Sequence, residues 1–80
     1  MYAQATMDAQ TGERARQAAI YAYMRWRDEN VRATQAYRAW ADADTAHAWR
    51  AYEDAFDREH EALTRYLELA QRVEVVAQRA

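Results

Sequence analysis

No proline occurs in these 80 residues, and the single glycine stands at Gly12. Proline stops helices because it lacks the amide hydrogen and clashes with the preceding turn, and glycine weakens them because it loses the most backbone freedom. Neither interrupts the chain from Glu13 onward, and about a quarter of the residues are Ala, the strongest helix former. The chain is therefore expected to be all-α. Thr11 or Asp8 can cap a first helix. Its apolar line runs through Ala19, Tyr23, Trp26, Asn30, Ala33, Tyr37 and Trp40 in alternating steps of four and three, the spacing of a heptad seam. Within it Tyr23-Met24-Arg25-Trp26 recurs as Tyr37-Arg38-Ala39-Trp40, two heptads on, so both Tyr/Trp pairs fall on one face.

A second seam passes through Trp49, Tyr52, Phe56, Glu59, Leu63, Tyr66, Ala70, Val73 and Ala77. Trp40 and Trp49 are nine residues apart, and at about 100° per residue a continuous helix would put the two seams on opposite sides. A turn realigns them. The Asp-rich stretch Ala41-Asp42-Ala43-Asp44-Thr45 offers Asp42, Asp44 and Thr45 as caps. The expected fold is a single domain, an antiparallel two-helix hairpin with helix 1 at about 12–41, the turn at about 41–45 and helix 2 at about 45–78. The absence of Gly from the turn keeps one continuous helix open as the alternative.

Ile20, Met24 and Val31 widen the first stripe, and Leu67, Leu69 and Val76 the second, beyond what two helices cover for each other. Dimerisation into a four-helix bundle would bury the remainder. Tyr and Trp dominate the aromatic set, as they do at amphipathic interfaces, so the expected contact residues are Tyr23, Trp26, Tyr37, Trp40, Trp49, Tyr52, Phe56, Leu63 and Tyr66. A chain this short, without cysteines, gains stability by associating.

The formal net charge of −2 argues against nucleic acid as a ligand, since phosphate binding needs a positive footprint. Arg58, Arg65, Arg72 and Arg79 recur every seven residues, but Asp54, Glu61 and Glu68 stand four residues before three of them, which predicts a solvated, salt-bridged column. No apolar run approaches the roughly 18 residues of a membrane span, and the N-terminus has no signal-peptide pattern. Without cysteines nothing points to an oxidising compartment, so a cytoplasmic location is expected. Arg as the only strong base, with abundant Ala, is the usage of a GC-rich coding genome of actinobacterial or phage kind.

Ser, Cys and Lys are all missing, which removes the usual covalent nucleophiles, and no enzyme activity is expected. His47 lies near the turn and should face water. His60 follows Asp57 at i+3, and a hairpin turning near residue 43 would set Glu29 opposite Asp57. One carboxylate on helix 1 and a carboxylate-x-x-His on helix 2 are half of a di-iron set. In these three residues alone the chain resembles the encapsulated ferritins, two-helix chains that complete a metal site by dimerising. The ferritin-like motif is Glu-x-x-His, whereas Asp57 here is shorter, and Glu59 holds the apolar line instead. Trp40-Ala41-Asp42 is also similar in place to the Trp-x-Gly turn of the WXG-type hairpins, but it lacks the Gly, and the segment Val73–Ala80 lacks their Tyr-x-x-x-Asp/Glu signal. No metal or cofactor is expected; His60 and Glu29 would flank the core, and Asn30 with Glu59 would fix helix register.

The sequence thus predicts a non-enzymatic interaction module that binds itself and another protein, acting as a small regulatory, inhibitory or assembly protein, with neither nucleic acid nor membrane as partner. Two alternatives stay open: a dimeric carboxylate-bridged metal protein built on Glu29, Asp57 and His60, and an oligomer that holds a small anionic ligand through interfacial Arg.

Overall fold

In a computed structural model, which describes the backbone of residues 2–79 and the side chains of residues 9–78, the chain forms two helices. They are α1 (Tyr2–Ala43) and α2 (Ala46–Arg79). They pack side by side as a hairpin 63 Å long and 14 × 13 Å across, and the long dimension is what 42 residues at about 1.5 Å each require. The continuous-helix alternative does not hold. No helix among the described residues is long and apolar enough to cross a membrane.

The turn is shorter than expected, because two residues do its work. Asp44 adopts a left-handed conformation (φ 48°) just past the end of α1, and its amide donates to the Trp40 carbonyl at 2.7 Å, closing the last turn. Asp and Asn tolerate that region better than most residues, so glycine is not needed here. Thr45 then caps α2: its hydroxyl accepts from the Ala48 amide at 3.1 Å and its carbonyl from the Trp49 amide at 3.0 Å.

α1 begins well before position 12, so Thr11 and Gly12 are interior residues and not a cap. Asp8 is interior too, and its side chain lies outside the described residues. An interior Gly costs about 1 kcal/mol relative to Ala. Here α2 comes close, and a Cβ at Gly12 would stand 3.5 Å from Val76 Cγ1, an ordinary van der Waals distance. Gly12→Ala should therefore stabilise the hairpin by about 0.5–1 kcal/mol and raise Tm by a few degrees in a thermal melt. A lowered Tm would mean the helices approach more closely there than described.

The line that meets the other helix is displaced from the expected seam at every second position. Ala19, Trp26, Ala33, Trp40, Tyr52, Glu59, Tyr66 and Val73 belong to both lines. Between them the contact uses Ala22, Glu29, Ala36, Ala48, Ala55, Ala62, Leu69 and Val76, each one residue before the expected Tyr23, Asn30, Tyr37, Trp49, Phe56, Leu63, Ala70 and Ala77. Ala33, Ala55, Ala62 and Leu69 are the buried apolar residues, and no large side chain among the described residues is fully buried. The helices touch along alanines, with Trp26, Trp40, Tyr52 and Tyr66 half-buried beside them, and Tyr23, Tyr37, Trp49 and Phe56 stand to one side.

Candidate interaction surface

Because the alanines occupy the line of contact, the aromatic residues of both helices project onto a shared flank of the hairpin. Two clusters form there. In the first, Trp26 stacks on Tyr66 (6.2 Å, 8° between planes), and Tyr23 meets Tyr66 edge-on at 5.3 Å and Trp26 at 5.8 Å. In the second, Trp40 stacks on Tyr52 (6.4 Å, 14°), and Tyr37 meets Tyr52 edge-on at 5.5 Å and Trp40 at 5.9 Å. The sequence repeat is a structural repeat: each Trp finds a Tyr of α2, and Tyr52 and Tyr66 are themselves two heptads apart. Trp49 extends the second cluster against Trp40 at 4.8 Å, and Phe56 adjoins Tyr52 at 6.1 Å. Two heptads on from these stand Leu63 and Ala70. Smaller residues there leave a shallow groove of about 430 Å³ beside Ala19, Ile20, Tyr23, Tyr66 and Ala70.

All nine expected contact residues thus lie along this flank. Trp26, Trp40, Tyr52, Leu63 and Tyr66 are half-buried by the hairpin itself, whereas Tyr23, Tyr37, Trp49 and Phe56 are exposed, Tyr37 to 49% and Phe56 to 43%. Ile20, beside the first cluster, is 53% exposed.

Two carboxylates are buried where the sequence suggested one. Glu59 sits between the clusters and accepts a hydrogen bond of 2.6 Å from the Trp26 indole N–H. Level with it stands Asn30, exposed, whose side chain makes no hydrogen bond among the described residues. Both border a groove of about 260 Å³ with Ala33, Thr34, Tyr37, Tyr52 and Phe56. Glu29, the second, faces the opposite flank, where Arg32 donates to Oε1 at 3.1 Å and Arg58 Nε lies 3.6 Å from Oε2. Oε2 is buried without a hydrogen bond, so the Arg58 charge is its nearest compensation. Only its place one residue before Asn30, next to the apolar line, hinted at that burial.

The proposed metal set is not assembled. The ring contacts Tyr23–Tyr66, Tyr37–Tyr52 and Trp40–Trp49 place Glu29 level with His60, not Asp57, because the turn is at Asp44 and Thr45 instead of residue 43. Glu29 is engaged by arginines, Asp57 is exposed, and His60 lies over the Phe56 ring at 4.4 Å. Among the described residues no three His, Asp or Glu side chains converge as metal ligands. The Arg column is corrected too. Among the described residues none of Asp54, Glu61 or Glu68 pairs with the Arg four residues on; Arg58 crosses to Glu29, the remaining Arg–carboxylate pairs are Glu13–Arg16 and Glu29–Arg32, and His60 Nδ1 lies 3.5 Å from Glu59 Oε2. The Arg79 side chain lies outside the described residues. Arg27 rests over the Tyr23 ring at 6.0 Å, one helical turn away, as the divergence of adjacent side chains requires.

No protein-family model, no curated protein and no solved structure matches this chain.

Proposed function

We propose that the chain is a non-enzymatic interaction module, a helical hairpin that self-associates through its aromatic flank into a four-helix bundle and serves as a small regulatory, inhibitory or assembly protein. The observation that carries this is its surface area. A compact monomer of 9.4 kDa exposes about 5,000 Å² by the usual scaling. This hairpin exposes 6636 Å². The excess is on the order of 1,600 Å² per chain, about twice the roughly 800 Å² that each partner gives to a standard protein interface, and the exposed rings supply the aromatic composition such interfaces favour. An apolar core made chiefly of alanines is also thin support for a hairpin standing alone.

Light scattering coupled to size exclusion tests the proposal directly. The expected mass is twice 9.4 kDa or a small multiple of it, falling on dilution together with helicity. A monomer at every concentration, with full helicity, would overturn it.

A further inference from the structure

From the aromatic flank we infer that two copies pair about a two-fold axis running along the hairpin, with both turns at the same end, so that the Asn30 amide of each copy donates to the Glu59 carboxylate of the other. This rests on the self-association proposed above and specifies its arrangement. In such a pair α1 of one copy lies on α2 of the second at the same level, and every neighbouring helix runs antiparallel.

Three observations select this arrangement. The first is the polar pair in the middle of the flank. Glu59 is 9% exposed, already holds the Trp26 indole, has His60 Nδ1 3.5 Å from Oε2 without a hydrogen bond, and borders the open groove between the clusters. Covering that groove removes water from a carboxylate, which needs a donor in exchange. Asn30, level with Glu59 and without a side-chain hydrogen bond among the described residues, offers its amide at that level. Parallel pairing puts each Asn30 opposite the other copy's Glu59. With the turns at opposite ends and the Tyr52 cluster of each copy laid on the Tyr66 cluster of the other, α2 lies on α2 and the two Glu59 carboxylates approach each other where water is excluded, which like charges resist.

The second observation is the fit of bulk to space. Phe56 lies level with Ala33, and Ala33 floors the groove of about 260 Å³ walled on α1 by Asn30, Thr34 and Tyr37. In the parallel pair the second copy's Phe56 faces that groove. The third is at the rim. Ile20 and Leu67, 53% and 57% exposed, stand within two residues of one level on the outer edges of α1 and α2. Parallel pairing lays each Ile20 beside the other copy's Leu67. Symmetry also closes the assembly, whereas a pairing displaced by the two-heptad repeat would leave a cluster free at each end and grow without limit.

The chain has no cysteine, so a single engineered one carries a unique spin label. A label at His47→Cys, next to the turn, should give an intermolecular distance of about 30 Å or less, since bundle helices pack about 8–10 Å apart. About 40 Å or more, from opposed turns, would overturn the arrangement and leave self-association standing. A monomer would overturn both. The Asn30–Glu59 contact is tested by mixing. Asn30→Asp alone should weaken the dimer at least tenfold, and adding an equal amount of Glu59→Gln chain should restore a heterodimer, because both intermolecular pairs are then complementary. No weakening, or weakening that mixing does not repair, would overturn the pairing, the latter by assigning the repulsion to neighbours within one chain. Scattering mass that rises steadily with concentration would replace the closed dimer with an open polymer.

Discussion

Trp26→Ala will destabilise the hairpin by about 3 kcal/mol or more, a large share of the stability a domain of this size possesses. The ring stacks on Tyr66, touches Tyr23 and fills the seam between α1 and α2, so its removal opens a void that two helices cannot close without tilting. It also strips Glu59 of its indole donor and leaves a buried carboxylate one hydrogen bond short. The two contributions can be separated in urea unfolding. Trp26→Phe keeps a ring and loses the N–H, and should recover half or more of the loss. Arg65→Ala, exposed and in none of the described ion pairs, should cost about 0.5 kcal/mol or less. If Arg65→Ala disrupts folding or assembly while Trp26→Ala leaves Tm and mass intact, the functional surface is the charged flank.

Ala62→Leu should cost about 1–3 kcal/mol although it adds apolar surface. Ala62 is 2% exposed on the line where the helices touch, and three further carbons there must push them apart. Separation would loosen the Trp26–Tyr66 stack one turn away and lengthen the Trp26–Glu59 bond. The exposed Ala51→Leu is the control, expected within about 0.5 kcal/mol of the parent. Equal Tm values for the two variants would show that the helices are not held at the spacing the alanines set.

That spacing also explains what the sequence disclosed and what it withheld. Two helices, their antiparallel course and the turn were legible, because the absence of helix breakers and the half-turn mismatch between Trp40 and Trp49 leave few ways to fold. Eight seam positions, from Ala19 to Val73, were legible as well. The alternate positions were not. A hydrophobic pattern ranks Tyr23 over Ala22 and Phe56 over Ala55, yet close approach of two helices favours the small residue. Identifying the aromatics as a flank required knowing how near the helices come. Gly12 misled in a related way: glycine near the start of a periodic segment resembles a boundary, and its contact with Val76 exists only once α2 has folded back.

Glu29, Asp57 and His60 failed to converge for a simpler reason, since moving the turn by one or two residues changes which side chains share a level along the whole length. The same sensitivity makes the Asp44–Thr45 connection the element that aligns every ring pair above it.

That two-residue connection orders the chain's encounters in sequence as well as in space. Trp40 and Trp49 meet across nine residues, Trp26 and Tyr66 across forty, and Gly12 comes to face Val76 across sixty-four. Closing a short loop costs less entropy than closing a long one, and each pair formed shortens the loop left for the next. The hairpin is therefore expected to close as a zipper from its Trp40–Trp49 clasp toward the open end and to part in the reverse order.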